Sequence, residues 1–434
     1  MNTETLHQLF LESKGVATDT RALKTDQLFF ALKGDNFNGN LFAEKALSKG
    51  AGYAIIDEEL DKLNDRYILV DNVLETLQKL STYHREFLDI PILAITGSNG
   101  KTTSKELIHA VLRKKFNTVA TVGNLNNHIG VPLTLLSMKS STEFGIVEMG
   151  ANHPNEIKSL SQIAKPNYGY ITNFGKAHLE GFGSVEGVIA AKSELYSILR
   201  ENNKMIFLNI DDPIQQKQLS YHNTYSFGTN PDADVVIKYV LNTERAEVVF
   251  EGTTIKSQLT GDYNAINIAA AICVGKYFKV PTESIQKAIL DYSPQNNRSQ
   301  LVKIGSNLLL MDAYNANPTS MKAALDSFKN NAASNKIAIL GDMFELGANA
   351  EEEHQNIVNY LESINVLHTY LVGDNFYKTS TTSHKITKLK SFSDLQLSLE
   401  ATEFNNAYIL IKGSRGMALE RTVEILKANT SSSR

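Results

Sequence analysis

Ile92 to Thr103 reads ILAITGSNGKTT, and this stretch decides the fold. Ile92-Leu93-Ala94-Ile95 is an apolar run of the kind a buried strand shows. It breaks into Gly97-Ser98-Asn99-Gly100-Lys101-Thr102-Thr103, and a helical pattern follows with Leu107, Ile108, Val111 and Leu112 on one face. Strand, glycine loop, lysine, hydroxyl and helix make a phosphate-binding loop. Its backbone N–H groups and helix N-terminus cradle phosphate oxygens, Lys101 reaches the terminal phosphates, and a threonine hydroxyl can hold magnesium. The strict pattern wants glycine where Ile95 stands, so it fails by one residue. The GKTT core and the context on both sides outweigh a turn that merely contains Gly-Lys.

The rest of the chain must explain what the phosphate is used for. With 434 residues, two or three domains are expected. A formal net charge of −4 gives no electrostatic case for a nucleic-acid partner. The single cysteine, Cys273, excludes an intrachain disulfide, and its apolar helical surroundings favour a buried, inert thiol. No signal peptide and no transmembrane stretch is visible, so a cytoplasmic protein is expected.

Residues 1–88 read as a small α/β unit without a phosphate loop. Leu6, Leu9 and Phe10 suggest an opening helix, 28–32, 53–56 and 67–70 suggest strands, and 42–47 and 73–87 suggest helices. Asp19 and Arg21 alone read as a surface turn pair.

Residues 89–297 carry the phosphate loop in a repeating strand–helix pattern, which predicts a parallel sheet. The loop Gly123-Asn124-Leu125-Asn126-Asn127-His128-Ile129-Gly130 is dense in amides, which suit an uncharged sugar or peptide, or simply a turn. Glu148 ends an apolar strand, where ligands of open α/β sheets gather. His178 follows another strand in a glycine-rich loop. It reads as a metal ligand or as a satisfied loop histidine. Lys192 shares a helix face with Val188, Ile189 and Leu195, and snorkelling is the simpler reading. Residues 221–257 suggest an antiparallel extension of the sheet. Asn264 and Asn267 fall on one face of a small-residue helix. Residues 292–297 read as a linker.

Residues 298–434 repeat strand–loop–helix with polar residues at the strand ends, notably Asp312 before Tyr314-Asn315-Ala316-Asn317. This describes a Rossmann-like domain lacking the dinucleotide glycine fingerprint. The terminal ANTSSSR is expected to fray. The fold predicted is therefore α/β in three domains: a small N-terminal α/β substrate domain, a central P-loop ATPase-like parallel-sheet domain and a C-terminal Rossmann-like domain.

TGSNGKTT, NLNNHIGVP, VEMGA, ITNFGKAHLEGFGS, AKSEL, GDYNAINIAAA, MDAYNANPTSM, LGDMFELG and KGSRGM, in this order, resemble the Mur ligases, the ATP-dependent amide-forming enzymes of peptidoglycan synthesis. The resemblance covers essentially the whole chain. NLNNHIGVP and DAYNANP favour the member that joins D-alanyl-D-alanine to UDP-N-acetylmuramoyl-tripeptide. Asn38-Gly39-Asn40 departs from the family's Asp-Gly-His, and Ser193 follows Lys192 where glycine is common.

The resemblance implies roles. Gly97 to Thr103 would bind ATP, with Thr102 on the first of two magnesium ions. Glu148 matches an acidic metal ligand, His178 a second-metal ligand, and Lys192 a carbamylated lysine that helps hold metal. Asn264 and Asn267 would meet adenine, Arg298 and Asp312 the nucleotide from the C-terminal domain. Asp19, Arg21, Asn126 and Asn127 would lie toward the UDP-muramoyl peptide, and Tyr314, Asn315 and Asn317 would line the closed cleft. Lys101, Glu148, His178 and Lys192 form the implied catalytic set, the enzyme is expected to be a monomer, and two hinged domains would close over an acyl phosphate. Three other readings are a sister ligase with another acceptor (such as folylpolyglutamate synthetase), a P-loop switch or motor, and a catalytically silent binding protein. The amide-rich loop and DAYNANP argue against the first, and the four residues together argue against the last. The switch predicts ATP turnover without amide formation and no need for Lys192.

Overall fold

The computed structural model describes residues 1–59, 64–294 and 297–432. Two residues of the expected linker, 295 and 296, thus lie outside the described residues.

The central sheet is built around the phosphate-loop strand. Seven strands run parallel in the order Val235–Val236, Thr224–Gly228, Met205–Asn209, Tyr168–Ile171, Ile92–Thr96, Phe144–Glu148 and Thr118–Ala120. Ile92 to Thr96 is buried at every position, as a central strand covered on both faces must be. The helix Lys101–Leu112 packs on one face, with Leu107, Ile108, Val111 and Leu112 all inside, against the helix Tyr263–Tyr277, which holds Cys273 in the same core. The helices Glu156–Ala164 and Val185–Glu201 pack on the other face.

Two expectations here need correction. Val235–Val236 does not join an antiparallel extension. It pairs in parallel with Thr224–Gly228 and closes the edge of the main sheet. The antiparallel strands Lys238–Val240, Glu247–Phe250 and Thr253–Lys256 form a separate sheet. Lys192 does not snorkel: it has no exposed surface.

The N-terminal unit is a four-stranded parallel sheet ordered Val16–Ala17, Leu28–Phe30, Tyr53–Ile56 and Tyr67–Leu69. Its helix Val73–Leu88 anchors it to the central domain. Gln78 donates to the carbonyl of His128, and Arg85 donates to the carbonyls of Ala164 and Lys165 and to Asn167 Oδ1.

The C-terminal sheet runs Gln300–Ile304, Asn307–Asp312, Tyr408–Lys412, Lys336–Gly341, His368–Val372 and Ile386–Leu389, with only the first pairing antiparallel. The final helix, Thr422–Ser432, runs through most of the tail expected to fray. Among the described residues no helix is long and apolar enough to cross a membrane.

Candidate active site

The phosphate loop leaves the carboxyl end of Ile92–Thr96, and its two glycines are required by geometry. Gly97 has φ +139°, and a Cβ there would lie 2.0 Å from Thr172 Oγ1. Gly100 has φ +78°, and its Cβ would meet Asn267 Oδ1 at 2.7 Å. The neighbouring strand end clamps the loop. Ser98 N–H donates to the carbonyl of Asn173, Asn99 N–H donates to Asn173 Oδ1, and Thr172 Oγ1 donates to the carbonyl of Asn99. The motif ITN is thus a brace for the loop.

Lys101 folds back over the loop, its amine donating to the carbonyls of Gly97 (2.6 Å) and Ser98 (3.3 Å). Burial lowers its pKa to about 8, with Glu148 opposing the shift and Arg298 adding to it. Thr102 is buried at the start of the helix. Glu148 comes from the adjacent strand. Its Oε1 accepts from Asn126 Nδ2 at 2.8 Å, while the buried Oε2 has no hydrogen-bond partner and lies 3.5 Å from the Lys105 amine. Lys105 itself is buried. Sequence reading missed it, although it stands four residues after Lys101 on the same helix face.

A cleft of about 1140 Å³ opens over this loop. Gly100 to Thr103, Asn126, Asn127, Glu148, His178, Asn264, Asn267, Arg298, Asp312, Tyr314, Asn315 and Asn317 all line it, together with Ser98 and Asn99. The two helix asparagines are already engaged. Asn264 donates to the carbonyl of Thr260, and Asn267 donates to Asn264 Oδ1 and accepts from Ser104 Oγ. They tie the phosphate-loop helix to its neighbour. Asn127 Oδ1 accepts from the N–H groups of Ile129 and Gly130 and so shapes its own turn.

The C-terminal domain forms the facing wall. Asp312 Oδ2 accepts from the buried Lys412 amine at 2.6 Å, and its Oδ1 accepts from Ser299 N–H. Lys412, in the KGSRG stretch, was not foreseen as a site residue. Arg298 lies over the Tyr314 ring, 3.7 Å from its centroid. Asn317 caps the helix Pro318–Asn330 through Oδ1, and its Nδ2 donates to Asn99 Oδ1 at 2.8 Å. Lys176 N–H donates to Thr319 Oγ1, and its amine pairs with Glu353 at 2.7 Å. His178 Nδ1 meets Glu345. The central and C-terminal domains are therefore closed on one another.

Two groups expected at the site stand apart from it. Asp19 and Arg21 pair with each other through a bidentate contact, exposed and away from the cleft. The Arg21 hydrogen bonds hold the Asp19 carboxyl at about 2. Lys192 does not line the cleft. Its amine donates to the carbonyl of Ala151 at 3.0 Å and sits 5.0 Å from the Phe182 ring centroid. Burial, and next the Lys101 charge, lower its pKa to about 7. Glu194, two residues on, accepts from the N–H groups of Asn155 and Lys158 and caps the helix Glu156–Ala164. The AKSEL motif thus holds the Ala151 to Glu156 turn from below.

The comparisons with known proteins agree with this architecture. The Mur ligase middle domain matches residues 95–275, and the Mur ligase, glutamate ligase domain matches residues 297–415. The UDP-N-acetylmuramoyl-tripeptide–D-alanyl-D-alanine ligase of Bacillus subtilis is 36% identical over 431 residues, spanning 95% of this chain and 93% of that enzyme. A crystal structure of MurF from Acinetobacter baumannii superposes with TM-score 0.86 at 26% identity, covering 97% of this chain and 98% of that one. MurF ligase from Thermotoga maritima in complex with ADP gives TM-score 0.85 at 26% identity, covering 98% and 99%. With such relatives along nearly its whole length, the chain belongs to the Mur ligase family, among the UDP-N-acetylmuramoyl-tripeptide–D-alanyl-D-alanine ligases.

Proposed function

We propose that this chain joins D-alanyl-D-alanine to the terminal carboxylate of UDP-N-acetylmuramoyl-tripeptide, with ATP converted to ADP and phosphate, in the synthesis of cell-wall precursor in the cytoplasm. The observation that carries the reading is the convergence in one cleft of Lys101, Glu148 and the phosphate loop with Asn315, Asn317 and Tyr314 of the opposing domain. The tripeptide carboxylate attacks the γ-phosphorus, and ADP leaves. The amine of the dipeptide then attacks the acyl phosphate carbon, and phosphate leaves. Lys101 moves from its loop carbonyls to the transferring phosphoryl group and offsets its charge. The closed domain wall keeps water from the acyl phosphate.

The residues fit one magnesium ion. Glu148 Oε2, which accepts no hydrogen bond though Lys105 lies 3.5 Å away, and the Thr102 hydroxyl are oxygen donors of the kind a hard cation takes alongside nucleotide phosphates. Bound there, the ion would neutralise phosphate charge. A second ion is less well provided for. His178 is committed to Glu345, and among the described residues no three His, Cys, Asp or Glu side chains cluster as a metal set. A carbamate on Lys192 does not fit the surroundings of its amine. The amine is taken up by the Ala151 carbonyl and the Phe182 ring, and among the described residues no set of three His, Cys, Asp or Glu side chains gathers to share a metal with such an anion, so no step is routed through it. Asn264, Asn267, Arg298 and Asp312 are proposed at the nucleoside end, and Asn126 and Asn127 at the peptide end. Asp19 and Arg21 would take part in holding UDP on the N-terminal domain. We take the working unit to be a monomer.

Phosphate release with UDP-N-acetylmuramoyl-tripeptide and D-alanyl-D-alanine, supplied singly and together, tests the reading. The tripeptide is given in its diaminopimelate and lysine forms. Release that needs both substrates, with a product heavier by one dipeptide, is expected. Release independent of the dipeptide, or none with either tripeptide, would refute it.

A further inference from the structure

His354 belongs to none of the motifs above, yet it has no exposed surface. It lies in the first turns of the helix Ala350–Ser363, and both ring nitrogens are engaged. Nε2 is 3.0 Å from the backbone nitrogen of Met343, and Nδ1 is 2.6 Å from the carbonyl oxygen of Ala350. A backbone N–H can only donate, so Nε2 is the bare acceptor and Nδ1 carries the proton. Two main-chain groups thus fix one neutral tautomer. The ring meets Phe376 edge-on at 4.6 Å. Asp342, whose carboxylate accepts the N–H groups of Asn375 and Phe376, lies 3.6 Å from Nε2.

Met343 starts the turn that leaves the strand Lys336–Gly341. Phe344 N–H donates to Ser414 Oγ, and Glu345 then takes a left-handed φ of +62°. A non-glycine residue holds that conformation only where its neighbours over-determine it. From it, the Glu345 carboxylate meets His178 of the central domain, and the Glu345 carbonyl accepts Glu180 N–H at 3.2 Å.

We propose that His354 is a positioning residue for domain closure. By holding Met343 N–H from within the C-terminal core, it fixes the turn that presents Glu345 to His178 and Glu180. This shuts one side of the cleft. The kinetic part of the proposal rests on the ligase reading, and the closure part does not.

The test uses the full chain with His354→Gln, His354→Leu and Glu345→Ala. Small-angle scattering with a non-hydrolysable ATP analogue and turnover are both measured, and folding is checked by circular dichroism. Glutamine can accept from Met343 and donate to Ala350, so His354→Gln is expected to compact and to turn over within about threefold of the wild type. His354→Leu and Glu345→Ala are expected to stay more expanded. Their kcat should fall roughly tenfold or more with the KM for ATP nearly unchanged, because the phosphate loop is untouched. The double variant should be no worse than either single one, as for two parts of one device. If His354→Leu does not fold, Glu345→Ala decides. Wild-type compaction and turnover in Glu345→Ala would overturn the proposal, as would equal losses in the glutamine and leucine variants. Absence of amide product in the wild type would refute the ligase reading alone, leaving scattering to judge the latch.

Discussion

Replacing Lys192 by methionine should stabilise the protein near neutral pH and lose that advantage as pH rises. Lys192 is fully buried, and its pKa falls from 10.5 to about 7. At about 1.4 kcal/mol per tenfold change in proton affinity, the protonated amine carries a penalty of about 5 kcal/mol in the fold. Between pH 7 and 10.5 the unfolded chain holds more protons on this group than the folded one, so wild-type stability climbs with pH. The climb is about 2 kcal/mol from pH 7 to pH 9, and below pH 7 it flattens out. Methionine keeps the volume and titrates nothing. It leaves the Ala151 carbonyl without its donor, at a cost of about 1–3 kcal/mol, and removes the contact with Phe182, worth about 0.5–2 kcal/mol. The net at pH 7 is a gain on the order of 1 kcal/mol for the variant, shrinking through zero by pH 9. Lys101 titrates in both proteins and cancels to first order. Urea titrations followed by circular dichroism at pH 6, 7, 8 and 9 read the difference. A difference that stays the same from pH 7 to pH 9 would refute the reasoning. Bicarbonate that stabilises the wild type but not the variant would restore the carbamate.

Gly97→Ala should leave the domains folded and weaken ATP binding at least about tenfold in calorimetry, since its Cβ would strike Thr172 Oγ1; an unchanged Kd would contradict the loop geometry. Asn317→Asp keeps the helix cap but loses the donor to Asn99. Thermal stability should hold while kcat drops several-fold, whereas Asn317→Ala should also lose about 1 kcal/mol of stability. Lys105→Met strips Glu148 of its buried cation and should cost about 3 kcal/mol in urea melts; a neutral effect would mean that the pair contributes nothing.

The parts of the site that were legible in the sequence are those whose chemistry is local. Gly97, Gly100 and Lys101 are dictated within one turn of chain, so their arrangement could be read from spacing alone. Lys105 could not, because its meaning comes from Glu148, a carboxylate on a strand 43 residues away. The same holds for Lys412, whose partner Asp312 stands 100 residues earlier. The helix Glu156–Ala164 had a readable stripe in Ile157, Leu160 and Ala164, and its capping by Glu194 was hidden by the 38 or so residues between them. The β-branched run Val235-Val236-Ile237 indicated a strand. Whether it pairs parallel or antiparallel depends on which edge is open, and that is a property of the assembled sheet. Lys192 shows the limit from the other side. Position on an apolar face permits snorkelling or burial, and only the Ala151 carbonyl and the Phe182 ring decide for burial.

The closed cleft follows from how the two walls are held. On the central side, strand ends and glycines make the phosphate loop rigid before any ligand arrives. On the C-terminal side, Asn317, Thr319, Glu345 and Glu353 reach across by single polar contacts to Asn99, Lys176, His178 and Glu180. Each such contact is worth about 0.5–1.5 kcal/mol at most, and exposed ion pairs contribute less. Together they amount to a few kcal/mol, comparable with the cost of ordering the joint between the domains. Closure is therefore near balance in the protein alone. A ligand that touches both walls, as a nucleotide between Lys101 and Asp312 would, shifts it by its differential affinity for the shut form. Two of the C-terminal residues that make these contacts have duties inside their own domain: Asn317 caps a helix, and Glu345 sits on the turn held by His354. The geometry these residues present to the central domain is thus set from within the C-terminal domain, as alignment of an amine with an acyl phosphate requires.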